Sequence, residues 1–387
     1  MAAVLAVLAL LAGCVDAGAR ADRGAAEGAG RSAPARTGSA PPRIPSAPDL
    51  PGVPHAVGFA SDAGGFALLA EFGKAPCRQH VAVLDKGADS WRLGRSPLAD
   101  LPGGVGITAG LVVLGPGRAL ITEGRTVPDR TWFTEDGGRT WRRGTDEPSG
   151  TTPEVPEGGV LVQDCSRLDK EGNNCEASRL IVVLPDTGHF EVLASQPPLA
   201  GRLGPAGQTE SGLLFASGTD PNSGRPALAV SEDRGRTWRL SPFASSDKRG
   251  WGIGVVSSGD VLYAAQSGGL PAEEGVKNGL RALHRSTDGG HTWERVWRYR
   301  KGVHPLSTSG DPVAAADGSL TIQGEDGVWR STDGGRSFQA ASGSQGLGGS
   351  VTLTPLGYLA SDSFGVGSYR ISADGIHWHS FVLGDGD

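Results

Sequence analysis

Few side chains in this sequence have the spacing that chemistry requires. His377 and His379 alternate along one segment near the C-terminus, so both rings would lie on one face of a strand and could hold a metal ion. We favour the alternative, a solvent-facing pair on an outer strand. The motifs HExxH, GxSxG and the P-loop do not occur. The sequence therefore predicts no metal site and no cofactor, and it identifies no catalytic residue.

The N-terminus has the features of a secretory signal. Residues 1–13 form the apolar run MAAVLAVLALLAG, and Cys14 follows directly. This run is too short to span a bilayer as a helix, which takes about 20 residues. Leu11 to Cys14 resembles the lipobox of bacterial lipoproteins, which implies cleavage before Cys14 and a lipid on its thiol. The protein would then be anchored to the outer face of a bacterial membrane; the alternative is an uncleaved apolar tail.

Three further cysteines follow, at positions 77, 165 and 175. An exported protein enters an oxidising compartment, where cysteines tend to pair. Cys165 and Cys175 enclose a polar segment typical of a loop, so we expect a disulfide between them. Cys77 would remain a lone thiol, in a loop or at a strand edge of the first repeat. The spacing of the three matches no zinc pattern.

Residues 14–53 have a composition that cannot form a core. They are rich in Ala, Gly, Pro, Ser and Arg and contain almost no large apolar side chain. Such a segment buries too little surface to offset the entropy lost on ordering. We therefore predict a disordered tether over residues 14–53, with the folded domain at residues 54–387.

The composition of the whole chain excludes several classes of protein. Its 62 glycines and 26 prolines in 387 residues exclude a mainly helical fold. Nine Trp and ten Phe are too many for a chain that stays unfolded. A net charge of −6 without basic runs argues against binding to nucleic acid. Many short strands joined by tight turns remain.

Four copies of one octapeptide indicate which β-fold this is. They begin at Thr134, Ser231, Ser286 and Ser331, and each has Asp third, Gly fifth and an aromatic residue eighth. We call these segments octapeptide turns. Weaker copies, which complete the series, lie at Asp85, Asp186 and Asp374. Successive aspartates are then 41 to 55 residues apart, the repeat length of a propeller with four short strands per blade. Seven copies predict seven blades, or six if one weak copy does not belong to a blade.

The predicted strands place each octapeptide turn between the third and fourth strands of its blade. Three β-rich segments, Gly252–Ser257, Asp260–Gln266 and Arg281–Arg285, precede the copy at Ser286, and Trp293–Trp297 follows it. In such a turn the aspartate accepts backbone hydrogen bonds, glycine supplies a positive φ and the aromatic ring packs over the turn. We therefore assign a structural role, not a catalytic one, to Asp136, Trp141, Asp233, Trp238, Asp288, Trp293, Asp333, Phe338, Asp374 and Trp378.

The octapeptide resembles the Asp-box, or BNR, repeat, whose pattern is Ser-x-Asp-x-Gly-x-Thr-Trp. Sialidases, photosystem II assembly-factor-like propellers and sortilin-type receptors share this repeat. The resemblance covers residues 54–387 and implies an all-β fold, a seven-bladed propeller of four-stranded antiparallel blades. Because proteins of different function share the repeat, it carries no activity by itself.

A resemblance to sialidases in particular implies a set of residues that can be sought. That family has an Arg-Ile-Pro motif whose arginine joins two others in binding the substrate carboxylate, an acidic proton donor and a Tyr nucleophile paired with Glu. Arg43 begins such a tripeptide but lies in the predicted tether. Tyr263 falls in an inner strand and Tyr369 precedes Arg370, and neither has an evident Glu partner. The catalytic set of a sialidase cannot be assigned.

We interpret the chain as an exported, lipid-anchored propeller that serves as a non-enzymatic binding or scaffolding module at the bacterial cell surface. Its ligand would be a protein or a glycan; we expect a monomer that meets the membrane only through its lipid and binds no nucleic acid. The alternative is a sialidase-like exo-glycoside hydrolase. Two long loops, Gly268–Gly279 and Cys165–Cys175, are candidate contact surfaces.

Overall fold

The chain folds into seven small β-sheets arranged as the blades of a propeller. The computed structural model describes residues 40–71, 76–102, 109–124, 128–145, 147–171, 174–243, 250–341, 349–361 and 367–384. Each sheet has four strands, as the seven repeat marks predict. Within these ranges the only helical element is a short 3-10 helix, Ala272–Glu274. None of the described helical structure has the length and apolar character to cross a membrane.

The strands follow the chain from blade to blade. Blade 1 comprises β1 (Val53–Phe59), β2 (Gly65–Ala70), β3 (Gln79–Leu84) and β4 (Arg92–Leu93), and blade 2 comprises β5 (Gly110–Gly115), β6 (Arg118–Gly124), β7 (Pro128–Thr134) and β8 (Arg142–Gly144). Blade 3 comprises β9 (Thr151–Thr152), β10 (Val160–Leu168), β11 (Cys175–Val183) and β12 (Phe190–Leu193). Blade 4 comprises β13 (Ala206–Gln208), β14 (Leu214–Thr219), β15 (Pro226–Ser231) and β16 (Arg239–Pro242).

The remaining three blades complete the ring. Blade 5 comprises β17 (Gly250–Ser258), β18 (Val261–Gly268), β19 (Gly279–Ser286) and β20 (Glu294–Arg298). Blade 6 comprises β21 (Val313–Ala314), β22 (Leu320–Gly324), β23 (Gly327–Ser331) and β24 (Gln339–Ala340), and blade 7 comprises β25 (Val351–Thr354), β26 (Gly357–Ser361), β27 (Ser368–Ser372) and β28 (His379–Val382). In every blade except blade 3 the strands pair antiparallel in chain order, from the innermost to the outermost.

The hydrophobic core lies between the blades. Leu68 and Val81 of blade 1, for example, pack in one buried cluster with Val113 and Ile121 of blade 2. Because each blade is covered on both faces by its neighbours, central strands such as β2 are buried at every position instead of alternating. The long apolar runs of the sequence are thus explained by the ring.

The octapeptide turn at Ser286 shows how one aspartate organises the chain reversal. The Asp288 carboxylate accepts hydrogen bonds from the Ser286 hydroxyl (2.7 Å), the Thr292 backbone N–H (2.9 Å) and the Thr292 hydroxyl (2.6 Å). Gly289 and Gly290 follow with φ values of +66° and +78°, which side chains rarely adopt. The turn is therefore closed by local bonds, and its carboxylate is fully engaged in them.

The aromatic residue of each strong turn links its blade to the preceding one. The Trp293 indole N–H donates to the Ser241 hydroxyl of blade 4 (2.8 Å), and the Trp238 indole donates to the Ser195 carbonyl oxygen of blade 3 (3.0 Å). Asp136, Asp233 and Asp333 accept the same local bonds as Asp288. These contacts place the aspartates within the turns and away from the central channel.

In the weak copies, other side chains bond to the aspartate in place of the Thr or Ser hydroxyl of the strong copies. At Asp374 the His377 ring nitrogen Nδ1 lies 2.8 Å from Oδ2, where the strong copies have a Thr or Ser hydroxyl. Asp85 pairs instead with Arg92, whose Nε lies 2.6 Å from Oδ2. All three weak copies, including the one at Asp186, lie where the chain reverses direction. Each of the seven copies therefore belongs to a blade.

Blade 3 departs from the predicted strand order. Its sheet runs β10-β11-β12-β9, and the outermost strand β9 pairs parallel with β12. The turn that contains Asp186 therefore joins the second and third strands of the sheet, and our placement of every octapeptide turn between the third and fourth strands is wrong here. Asp186 nevertheless lies at the same end of the ring as the other turns, since Arg118 at the start of β6 pairs with it at 2.7 Å.

The direction of the strands explains this departure. Because the Asp186 turn lies at the common end, β11 runs toward that end and β12 away from it, as third and fourth strands do in other blades. By the same rule β10 runs like a second strand. Within the sheet of blade 3, β10 is therefore one edge strand and β9 is the other.

The ring closes with help from a segment that the sequence assigned to the tether. Ile44, Ala47 and Leu50 are buried in the cluster shared by blades 1 and 7. Ala47 forms a parallel bridge with Leu383, and the Ile44 carbonyl oxygen lies 2.8 Å from the His379 ring nitrogen Nε2. The boundary predicted at residues 53 and 54 is therefore too late, because scattered apolar residues in a Pro-rich segment can still fill a gap between blades. Residues 14–39 of the predicted tether lie outside the described residues, as do residues 1–13.

The cysteines and the histidine pair have simple positions. Cys165 and Cys175 form a disulfide across β10 and β11, with their Cα atoms 5.7 Å apart. Cys77 is free and buried, and its backbone bridges to Leu101. His377 bonds within its turn, and His379 bonds to the closing segment. No group of three potential metal ligands occurs within the described ranges.

Candidate functional site at the mouth of the channel

A cavity of about 460 Å³ opens at one mouth of the central channel. It extends from β10 of blade 3, past the start of blade 4 and β17 of blade 5, to residues 308–312 at the start of blade 6. First strands begin at the end of the ring opposite the octapeptide turns, so the cavity lies at that opposite end. Its volume is in the range of small-ligand sites, about 300–1,000 Å³.

Strand β10 of blade 3 forms a large part of the cavity wall. Five consecutive residues of this strand, Leu161 to Cys165, line the cavity. Because β10 is an edge strand of its sheet, no other strand of blade 3 lies beyond it on that side.

Asp311 is the carboxylate placed most deeply in the cavity. It follows Gly310, whose φ of +78° only glycine adopts easily and where a Cβ would collide with the Val351 carbonyl oxygen. Burial raises the pKa of Asp311 to about 6, and a hydrogen bond from the Leu353 backbone N–H only partly opposes this effect. A Cβ added to Gly254 would lie 3.8 Å from Oδ1 of Asp311. This carboxylate thus faces the side of the cavity where β17 has no side chain.

A second group of polar residues lines the opposite wall. Asp164 pairs with Arg179, with Oδ2 and Nε 2.7 Å apart, so its charge is already compensated. The Gln163 side chain donates to the Gly204 carbonyl oxygen and links blade 3 to blade 4. Arg202 is exposed and lines the same cavity. The described residues therefore present to the cavity one paired carboxylate, one carboxylate that forms no ion pair among them and one guanidinium.

The tyrosines that a sialidase would need lie elsewhere. Tyr263 and Tyr369 are buried in the cores between blades. Tyr358 is 1 % exposed, and its hydroxyl donates to the Ala314 carbonyl oxygen at 3.1 Å. Tyr299 bonds to Glu274 at 2.6 Å, and that bond raises the pKa of Tyr299 to about 12, which disfavours a nucleophilic phenolate. No tyrosine lines the cavity in the part of the chain that the structure describes.

Arg43 also lies away from the channel. It is exposed, and it precedes Ile44, whose carbonyl oxygen meets His379 of the outermost strand of blade 7. The Arg-Ile-Pro tripeptide thus belongs to the closing segment. Of the arginines in the described ranges, Arg202 alone lines the cavity, so no three arginines converge there.

The two long loops are at the same end of the ring as the cavity. The disulfide at the base of the β10–β11 loop contributes both of its cysteines to the cavity wall. The insertion of blade 5 leans toward blade 6, where the Lys277 and Asn278 backbone N–H groups donate to Glu325 Oε1 at 3.0 and 3.3 Å. The loops that the sequence selected therefore frame the mouth.

Asp311 is the residue that sequence reasoning missed. The segment around it, SGDPV, has the composition of an ordinary turn, and one aspartate among many carries no signal. Asp164 beside Cys165 was equally inconspicuous. Only the ring brings residues of blades 3 and 6 to one cavity.

Comparison with known proteins finds similar solved structures. No family model matches the chain, and no curated protein sequence matches it. Among solved structures, the Hadza microbial sialidase Hz136 is similar at 13% identity and a TM-score of 0.37, covering 87% of this chain, and this chain spans 66% of that protein. An alpha-L-arabinofuranosidase from Fusarium graminearum matches at 11% identity and a TM-score of 0.36, over 80% of this chain and 87% of that one.

Hydrazine synthase from Kuenenia stuttgartiensis is another similar structure, at 14% identity and a TM-score of 0.45, over 88% of this chain and 97% of that one. At these identities and TM-scores, the resemblances carry no conclusion about activity. The chain is an all-β propeller of seven blades whose function has to be argued from its own cavity.

Proposed function

We propose that this protein is a non-enzymatic binding module that holds a small group of a protein or glycan ligand in the cavity at the channel mouth. The observation that carries the proposal is a cavity of about 460 Å³ that residues of blades 3 to 6 line. The octapeptide turns supply rigidity, since each is closed by local bonds and several are linked to the neighbouring blade. A rigid ring with one open mouth suits binding, because little entropy is lost when a preformed site is filled.

A size series at Gly254 tests this site. Alanine and then valine at this position would extend into the cavity, and the nearest atom to a new Cβ is Asp311 Oδ1 at 3.8 Å, so the backbone need not move. With a printed array of glycans and peptides as the probe, we expect wild-type protein to bind a subset. Binding should fall at least tenfold in Gly254→Val and less in Gly254→Ala.

Two controls accompany this series. The melting temperatures of the variants should stay near that of the wild type, because β-branched residues suit strands. Asp260→Asn alters an exposed residue at the opposite end of blade 5 and should bind as the wild type does. Unchanged binding in folded Gly254→Val would contradict the proposed site.

A glycoside hydrolase is the second candidate, and one observation favours it. Asp164 and Asp311 line the same cavity, and glycoside hydrolases act with two carboxyl groups. A pKa of about 6 would let Asp311 donate a proton near neutral pH. In this case fluorogenic glycosides, sialosides included, would be turned over by the wild type and not by Asp311→Asn. Under our proposal neither protein turns them over.

We also propose that the protein acts at the outer face of a bacterial membrane through a lipid on Cys14. The support is the lipobox-like sequence before Cys14. Two acyl chains or more provide stable anchoring, at about 0.8 kcal/mol per buried methylene. Expressed in a bacterium, Cys14→Ser should therefore move from the membrane fraction to the soluble or unprocessed fraction. A variant that is processed and bound to the membrane as before would refute the lipid anchor.

A further inference from the structure

We propose that the cavity recognises its ligand through a primary ammonium group that lies against Asp311, as on an amino sugar or a lysine side chain. This inference rests on the proposed function and specifies its ligand. It follows from the position and the partners of one carboxylate.

The first step is that Asp311 has no cationic partner among the described residues. Its carboxylate accepts one hydrogen bond, from the Leu353 backbone N–H. None of the described lysines, arginines or histidines forms an ion pair with it. A carboxylate has about four lone-pair sites, so most of its acceptor capacity is unused.

The second step is that the carboxylate is desolvated yet open to the cavity. Burial is the main influence on its pKa, which is raised to about 6. At neutral pH it is therefore mostly ionised, although burial makes that charge costly. A ligand cation would compensate the charge, whereas a neutral hydroxyl would compensate it only in part.

The third step is that the surroundings favour one cation and not an extended positive surface. Asp164 on the far wall is already paired with Arg179. Arg202 lines the same cavity and would repel a second positive charge near it. Glu210 forms a hydrogen bond with Tyr358, and the negative charge of Asp311 contributes to the raised pKa of Tyr358. A single compact ammonium group fits this distribution better than a cluster of basic residues does.

Matched pairs of small probes test the inference by calorimetric titration. Glucosamine and glucose differ in having an ammonium group or a hydroxyl group at one carbon, as do n-butylammonium and butanol. We expect each ammonium compound to bind at least tenfold more tightly than its neutral counterpart at pH 7.5. Asp311→Asn should remove that preference, and Asp260→Asn should retain it.

The pH dependence provides a second readout. Binding of n-butylammonium should weaken as the pH falls through about 6, because protonation of Asp311 removes the negative charge. Burial and the charge of Glu210 raise the pKa of Tyr358 well above its ordinary value, so Tyr358 stays protonated from pH 7.5 to 5.5. The other charged groups named around the cavity are Asp164, Arg179, Arg202 and Glu210. Asp311→Asn should remove this pH dependence.

The outcomes separate the two proposals. If neither ammonium compound binds, or if neutral and charged probes bind equally, recognition of a cation is wrong. If Gly254→Val still abolishes binding to the array in that case, the cavity remains the binding site for a neutral ligand. If Gly254→Val has no effect on any probe, both the ligand class and the site are wrong.

Discussion

Ile44→Ala is expected to lower the free energy of unfolding by about 2–5 kcal/mol, the usual cost of truncating a buried isoleucine. Ile44 is 2 % exposed and packs with Phe59, Phe381 and Leu383 where the first and last blades meet. A cavity there would loosen the only junction of the ring that joins the two ends of the propeller sequence. Urea unfolding followed by tryptophan fluorescence measures the change.

Asp49→Ala is the matched control for this prediction. Asp49 lies in the same segment, is exposed and has no bond to other described residues. Its replacement should change stability by less than about 0.5 kcal/mol. If Ile44→Ala were equally silent, the segment would be a tether after all, and the closure described above would be wrong.

Acid should unfold the protein through its octapeptide turns. Hydrogen bonds from the hydroxyl and backbone N–H of Thr237 lower the pKa of Asp233 to about 2, and Thr292 lowers that of Asp288 further. At three other turns burial acts to raise the pKa, but hydrogen bonds outweigh it and bring the value to about 2 at Asp136, Asp333 and Asp374. Unfolded aspartates titrate near 3.9.

The sign of the effect follows from these values. A carboxylate whose pKa is depressed in the folded state stabilises the fold above the unfolded pKa, and this stability is lost as the pH falls toward the folded pKa. Burial lowers the pKa of His55 to about 4 and that of His284 to about 3. Because the unfolded chain binds protons at these histidines more readily than the folded one, the fold also loses stability as the pH falls below about 6.5. Asp311 acts oppositely, because its pKa is raised: it favours folding as the pH falls from 6 to about 4.

The measurable result is a steep loss of stability between about pH 4 and 2. Near pH 3, unfolding should be accompanied by the uptake of several protons from solution, at most one at the aspartate of each of the five turns. Asp233→Asn should reduce that uptake by about one proton, whereas Asp260→Asn, at an exposed residue without a hydrogen-bond partner in the described chain, should leave it nearly unchanged. A pH profile that is flat between 4 and 2 would contradict the role assigned to these aspartates.

The number of blades could be predicted because it is a local property repeated along the chain. Each octapeptide turn closes by bonds between residues two to four positions apart, as Ser286, Asp288 and Thr292 do. Such a turn needs no distant partner, so its sequence is sufficient to identify it. The disulfide was predictable for a similar reason, since Cys165 and Cys175 enclose a short polar loop.

The order of strands in blade 3 could not be predicted in this way. The parallel pairing of β9 with β12 joins segments about 40 residues apart, and two residues such as Thr151 and Thr152 carry no pattern. Nor does the sequence around Ile44 show that it fills a gap between blades 1 and 7. In both cases the partner is supplied by closure of the ring.

What the sequence by itself determined is therefore the local chemistry of this protein: its turns, their spacing and hence a ring of seven blades. Only the tertiary structure decided where the ring closes, which blades line the cavity and which carboxylate lies in it. The physical reason is distance along the chain. A hydrogen-bonded turn is specified by neighbours, but the raised pKa of Asp311 and its cavity arise from residues of blades 3 to 7 that meet only when the ring is formed.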